Sequence, residues 1–173
     1  MRDTIKSWSI VFALCFFAAA AISWPLMPRA AELLTSARSD SDLYYSIYAH
    51  WWAGEVLAGA QSFSHNSGAY FPNGTAMAGS VWNLITLFTT GWLQLIREPV
   101  AAWNSATVVI ISLNGVAGFA MGKRLGGLWG GLAAAALLLA LPMSWCEAFE
   151  GRHEQAFTAP ISLTFLALVR LKD

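Results

Sequence analysis

The chain has 173 residues, of which 57% are hydrophobic and 12% are charged, and its mean hydropathy is +0.52. A typical soluble domain carries about twice this charged fraction, so the composition favours a membrane protein. Ten basic and ten acidic residues cancel, which excludes the strongly basic balance of a nucleic-acid-binding domain. The two cysteines, Cys15 and Cys146, lie in or at the end of apolar runs and show neither metal-ligand spacing nor a disulfide framework.

The first apolar segment, residues 8–27, has the length of about 20 residues that a helix needs to cross a bilayer. Arg2 and Lys6 precede it, and a basic start followed by an alanine-rich run is also typical of a signal peptide. Trp24 and Pro25 fit poorly at a small-residue cleavage site. We therefore predict a first transmembrane helix here, with a signal peptide as the alternative.

The next feature is the segment "SDSDLYYSIYAHWW" at residues 39–52, where two aspartates stand beside three tyrosines, a histidine and two tryptophans. Large side chains recur every four positions in two rows, Leu43, Ile47, Trp51 and Tyr44, Tyr48, Trp52. This is helical spacing, and Tyr and Trp favour the headgroup zone of a membrane. We predict a helix near residues 42–58 that lies along the outer membrane surface.

Asp42 has two interpretations on this helix. In the first turn its carboxylate would stabilise the positive helix end by about 0.3–1 kcal/mol. Alternatively it is a general base, because a carboxylate beside aromatic rings is partly desolvated and its pKa rises towards the useful range. Ser39, Asp40 or Ser41 could cap the same helix, and Asp40 competes with Asp42 for the catalytic role.

Four more apolar segments follow, at residues 81–96, 105–122, 128–145 and 156–171. The last three are predicted to be transmembrane helices near the practical minimum of about 17 residues. The first of the four is short and carries Asn83 and Gln94, so it either spans the bilayer or lies flat in the interface as an amphipathic helix.

Charge bias decides between these two placements of residues 81–96. If the segment lies flat and the N-terminus is cytoplasmic, four basic residues fall inside, namely Lys123, Arg124, Arg170 and Lys172. Two then fall outside, namely Arg97 and Arg152. The positive-inside rule favours this arrangement. The prediction is one all-α membrane domain over residues 1–173, a polytopic helix bundle with about four transmembrane helices. Its first outer loop covers residues 28–104, with interfacial helices near 42–58 and 81–96.

The second outer loop, residues 146–155, concentrates charged side chains between two apolar helices. One interpretation is a solvated loop. The other is the wall of a site, in which Glu150 and His153 transfer protons and Arg152 binds phosphate oxygens. Glu150 and His153 are three residues apart, so on a helix they could also share a divalent metal, although two ligands are a weak metal signal.

The order of these features resembles the N-terminal portion of the bacterial C-type (GT-C superfamily) integral membrane glycosyltransferases. The resemblance covers nearly the whole chain, and the order of the motifs carries it more than any one of them. The matching features are Asp42 with Trp51 and Trp52, "YFPNG" at 70–74, the apolar segment 81–96, "MGKRLGG" at 121–127, "ALPMSW" at 140–145 and "RHEQAFTAPISL" at 152–163. Family members are several hundred residues long with more spans, so the resemblance implies that this chain is part of a longer protein.

The resemblance implies transfer of a sugar from a polyprenyl-phosphate donor at the outer face of the bacterial inner membrane. Asp42 would be the base, with Glu150 and His153 in support, sometimes through a divalent metal. The candidate substrate-binding residues are Tyr45, His50, Trp51, Trp52 and Arg152. The expected partners are membrane lipid, the polyprenyl-phosphate sugar, and either a missing C-terminal part or a partner subunit. The main alternative is a non-catalytic membrane scaffold or subunit; a transporter would require charges within the spans.

Overall fold

The protein is mostly helical, which confirms the predicted helical class. The computed structural model describes residues 2–34, 41–62, 64–66, 73, 75–76, 90–96 and 98–171, and of these it describes only the backbone at 2–6, 41–42, 75–76 and 154. The α-helices in this part of the chain are α1 (Arg2–Ile22), α2 (Ser41–Leu57), α3 (Pro99–Leu139), α4 (Pro142–Phe149), α5 (His153–Ala156) and α6 (Ala159–Leu171). A 3-10 helix, Gly91–Leu95, precedes α3, and two short strands pair antiparallel, β1 (His65–Asn66) and β2 (Thr75–Ala76).

Helix α3 is folded into a hairpin at Gly127, whose φ of +63° is a left-handed conformation that favours glycine. We call residues 99–125 its first arm and residues 128–139 its second arm. The arms pack antiparallel and very close together, because a Cβ added at Gly122 would lie only 2.2 Å from the carbonyl oxygen of Gly130. Small residues at the contact allow this approach, as they do between membrane helices.

Two prolines end helices earlier than the apolar pattern predicts. Helix α1 ends at Ile22, and turns that include Pro25 replace the end of the predicted span 8–27. The predicted span 128–145 is interrupted before Pro142, because proline has no backbone N–H and disfavours helical geometry at the residue before it. The second arm therefore ends at Leu139, and α4 starts a new helix.

Helix α1 and the turns after it pack on α3. The core between them contains Cys15, Ala19, Val108, Ile111, Leu139 and Trp145. The buried Asn104 on the first arm donates hydrogen bonds to the carbonyl oxygens of Ala30, at 2.7 Å, and Leu33, at 2.6 Å. These bonds attach the chain that leaves α1 to the start of α3.

Helix α6 runs back along the first arm and is held there by Asn114. The side-chain Nδ2 of Asn114 donates to the carbonyl oxygen of Ala156, at 2.8 Å, and its Oδ1 accepts from the backbone N–H of Ala159, also at 2.8 Å. The sequence predicts that Asn114 bonds to a neighbouring helix, and this is confirmed. One amide thus bonds to a backbone group on each side of the break between α5 and α6, and it provides the partner for the N–H of Ala159 in the first turn of α6.

The 3-10 helix fills the space between α2 and α3. A Cβ added at Gly54 of α2 would lie 2.5 Å from Cβ of Gln94, so glycine is needed for this contact. On the other side Leu93 packs with Ala102 and Ala106 of the first arm. This is the described part of the predicted interfacial segment 81–96; its residues 81–89 lie outside the described residues.

Within the described part of the chain, one stretch is long and apolar enough to cross a membrane, Pro99–Phe149. Of the 18 consecutive residues that are most apolar in this stretch, only 17% are buried inside the protein. The core helix of a soluble domain would be mostly buried. Two shorter apolar helices accompany it, Ser7–Ile22 and Ala159–Leu171. This composition indicates membrane association.

Candidate functional site

A buried polar cluster forms where α5 meets the start of α3. Trp103 and Thr107 are one turn apart on the first arm, so their side chains share a face, and both are completely buried. The ring of His153, the first residue of α5, stacks on the Trp103 indole with 3.6 Å between centroids and 7° between planes. Its Nε2 lies 2.7 Å from the Thr107 hydroxyl oxygen. The start of α5 is therefore fixed against α3 by stacking and a hydrogen bond together.

His50 of helix α2 contacts the same cluster. Its ring is edge-on to Trp103 at 4.9 Å and to His153 at 5.4 Å. Its Nδ1 lies 2.9 Å from the carbonyl oxygen of Ser46, which can only accept, so Nδ1 carries the proton and donates. In the neutral ring Nε2 then accepts from the Thr90 hydroxyl at 3.1 Å. We call His50, Trp103, Thr107 and His153 the histidine cluster.

Both imidazoles of the histidine cluster are neutral at pH 7. Burial lowers the pKa of His50 to about 4, against a smaller raising effect of its bond to the Ser46 carbonyl. Burial also lowers the pKa of His153 well below its usual value, and repulsion from His50 in its protonated form lowers it further. Desolvation dominates because a charged ring would lose its hydration without gaining an opposite charge.

Two nitrogens in the cluster lack hydrogen-bond partners among the described residues. These are Nδ1 of His153 and Nε1 of Trp103, both fully buried. Leaving a buried polar group unsatisfied costs about 1–3 kcal/mol. Unsatisfied groups of this kind are uncommon in folded proteins and often mark a functional position or a bound water.

The charged residues of the second loop form a separate triad beside the cluster. The guanidinium of Arg152 donates through Nε to Glu147, at 2.5 Å, and through a terminal nitrogen to Glu150. The bond to Glu147 is the main reason that the pKa of Arg152 is raised. One positive and two negative charges leave the triad with a net charge of −1. The side chain of Glu150 is 43% exposed and that of Glu147 only 16%, so Glu150 is the carboxylate that a substrate can reach.

The aromatic residues predicted to bind substrate on α2 do not share one surface. His50 and Trp52 are buried at 4% and 3% exposure, whereas Tyr45 is 55% exposed, although it lies two turns before Trp52 on the same side of the helix. Trp51 is half-buried and packs against Tyr48, with the ring centroids 5.4 Å apart and the planes tilted by 38°. Of these residues, His50 contacts the second loop through the histidine cluster.

Asp42 lies in the first turn of α2, as predicted, although its side chain lies outside the described residues. His50 follows eight residues later, which places the two backbones about 12 Å apart along the helix axis. Asp40, the competing candidate, lies outside the described residues. The structure therefore brings His50 and His153 together, with Asp42 about two helical turns away.

Glu150 and His153, the two residues that could share a metal ion, form hydrogen bonds to other side chains. His153 uses Nε2 for Thr107, and Glu150 bonds to Arg152. In the part of the chain that the structure describes, no group of three or more His, Cys, Asp or Glu side chains is placed to hold a metal ion.

Trp103 and Thr107 are the cluster residues that sequence reasoning missed. The signal was a Trp and a Thr four residues apart at the start of an apolar segment, where a polar row on one helix face is unusual. Comparison of the chain with protein-family models, with curated proteins and with solved structures finds no match.

Proposed function

We propose that this chain is the membrane module of a glycosyltransferase that takes a sugar from a polyprenyl-phosphate donor at the outer face of the bacterial inner membrane. In this proposal the chain crosses the bilayer through α1, the first arm of α3, and the second arm continued by α4. The fourth crossing runs from α5 into α6, with α6 itself in the cytoplasmic half of the membrane, and the N-terminus is cytoplasmic. One observation carries the proposal. Helix α2 of the first loop and α5 of the second loop meet in the histidine cluster, 5.4 Å apart at the two imidazole rings.

The charge distribution along the hairpin supports this orientation. Thr107 and Lys123 are sixteen residues apart on the first arm, a rise of about 24 Å, which approaches the ~30 Å of a hydrocarbon core. The histidine cluster and the basic turn, which we define as residues 123–127, therefore lie at opposite ends of one apolar helix. Because basic turns remain on the cytoplasmic side, the cluster and both loops belong outside.

The chemistry follows from the charges near the cluster. Asp42 is the proposed base that deprotonates or orients the acceptor. Arg152 is the proposed ligand of the donor phosphate, since a guanidinium binds phosphate oxygens through two parallel hydrogen bonds. An arriving phosphate displaces Glu150, the more exposed of its two carboxylate partners, and leaves Glu147 in place. The released Glu150 is then available for proton transfer, and the buried, neutral His153 supports it by fixing the start of α5 next to Arg152.

The test is Asp42→Asn in the chain expressed with its natural neighbours, with the lipid-linked sugars and the glycan product measured. Asparagine keeps an oxygen that can bond the first turn of α2 but removes the charge. We expect the product to be lost in Asp42→Asn and retained in Asp40→Asn. Glu55→Gln removes a charge at the other end of the same helix and serves as the matched control. Normal product from Asp42→Asn at normal protein abundance would remove Asp42 from the mechanism.

A non-catalytic scaffold is the second candidate, and a specific observation favours it. Both histidines of the cluster are buried, and Arg152 is already paired with two carboxylates, so these polar groups also suffice to hold two loops together. A scaffold tolerates Asp42→Asn but co-purifies from native membranes with a partner chain. The loss of that partner on His153→Ala, with an unchanged sugar product on Asp42→Asn, would select this function.

A further inference from the structure

An apolar groove of about 320 Å³ lies between α1, the first arm of α3 and α6. It is lined mainly by hydrocarbon. The residues that define its walls are Trp8 from α1, Val116 and Ala120 from α3, and Leu163, Leu166 and Arg170 from α6. Small side chains on the α3 wall leave the space open. Among the lining residues, all of which belong to the described part of the chain, Arg170 alone is charged.

The groove ends at the basic end of the molecule. Trp8 packs edge-on against Phe119 at 6.0 Å, and the ammonium of Lys123 lies 5.7 Å from the centroid of the same ring. Arg170 borders the groove together with Trp8, in the last turn of α6. Tryptophan and basic side chains at one level are typical of the boundary between hydrocarbon and headgroups.

The length of the groove matches one leaflet. From Ala159 to Arg170 helix α6 rises through eleven residues, or about 16 Å. Half of a hydrocarbon core is about 15 Å. A chain that fills the groove therefore reaches from the middle of the bilayer to the headgroup level of the leaflet where Arg170 lies.

The charge at this end identifies the occupant. Arg170 is exposed, and it forms no ion pair with any carboxylate in the part of the chain that the structure describes. A guanidinium binds phosphate oxygens bidentately, and an anionic headgroup brings no cation of its own to compete. We propose that the groove binds one acyl chain of an anionic phospholipid, whose phosphate is held by Arg170. This inference needs the helices to be embedded in a bilayer but needs no glycosyltransferase activity.

The test uses the full chain purified in mild detergent and native mass spectrometry with phosphatidylglycerol and phosphatidylcholine of identical acyl chains. We expect one phosphatidylglycerol to be retained in preference to phosphatidylcholine. Arg170→Gln should reduce that preference about fivefold, the effect of one basic residue at an anionic lipid surface. Arg124→Gln is the matched control, because Arg124 lies in the basic turn but does not line the groove. It should leave the preference unchanged.

A second variant tests the groove itself. Ala120→Phe fills the space without changing the charge, so it should abolish retention of both lipids while the chain still elutes as a folded species. Retention of one lipid by Ala120→Phe would overturn the proposal. If Arg170→Gln and Arg124→Gln had equal effects, the lipid preference would come from non-specific surface attraction. That result would also overturn the proposal. A dimer that Ala120→Phe dissociates would instead assign the groove to a second copy of the chain.

Discussion

Acid should destabilise this protein through the histidine cluster. The pKa of His50 is about 4 in the folded protein, whereas an unfolded histidine has a pKa near 6.5. Between these two pH values the unfolded chain binds more protons than the folded one, so the free energy of unfolding rises with pH across the window. The stabilisation is complete above pH 6.5 and is lost as the pH falls towards 4. At about 1.4 kcal/mol per pH unit, His50 alone accounts for about 3 kcal/mol.

His153 acts in the same direction, because its pKa is also lowered by burial and by His50. The other charged groups near it are Arg152 and the two carboxylates that Arg152 binds. Carboxylates also lose charge in acid, so the total pH dependence is not specific to the cluster. The informative quantity is the difference between the wild type and a variant that lacks one imidazole.

The assay is unfolding of the detergent-solubilised chain by sodium dodecyl sulfate, followed by tryptophan fluorescence at pH values from 8 to 4. His50→Gln should lower the stability at pH 8, since it disturbs the bonds to Ser46 and Thr90. It should also flatten the decline from pH 6.5 to 4 by about 3 kcal/mol. His65→Gln is the matched control because His65 is exposed on β1. Equal pH dependence in His50→Gln and the wild type would refute the assignment of a buried neutral imidazole.

Three further predictions concern the hairpin and its orientation. Trp103→Ala should cost about 3–5 kcal/mol in the same unfolding assay, because a fully buried tryptophan is removed, and Trp103→Phe should cost less. Gly122→Ala should destabilise by about 1–3 kcal/mol, since its Cβ would meet a carbonyl oxygen of the second arm at 2.2 Å. Gly126→Ala has open space around its Cβ and should stay within about 0.5 kcal/mol of the wild type. The exposed Cys146 should react with a membrane-impermeant maleimide on intact cells. Lys123→Cys, made in a Cys146→Ser background, should react only after permeabilisation, and labelling from outside would reverse the proposed orientation.

The sequence alone determined the local structure of this protein. The lengths of the apolar segments predicted the helical class. Helix α2 was predicted near residues 42–58 and covers Ser41–Leu57. Glycines next to basic residues marked the turn of the hairpin. These features depend on interactions within a few residues, so composition and periodicity are sufficient to find them. Pro25 and Pro142 shortened two of the predicted helices, and a break after Ala156 shortened the predicted span 156–171 to Ala159–Leu171.

Tertiary packing decided which polar residues meet. The Tyr and Trp side chains of α2 occupy one broad arc of the helix and His50 lies on the opposite side, so periodicity alone did not predict that His50 would face the core. Packing buried both His50 and Trp52, which lie on different sides of the helix, and left Tyr45 exposed at 55%. His50, Trp103 and His153 are separated by about fifty residues at each step along the chain, and their contact depends on how three helices dock. For His153 the sequence left both a solvated loop and the wall of a site open. The residue is buried, because its helix packs against a tryptophan that no short-range pattern connects to it.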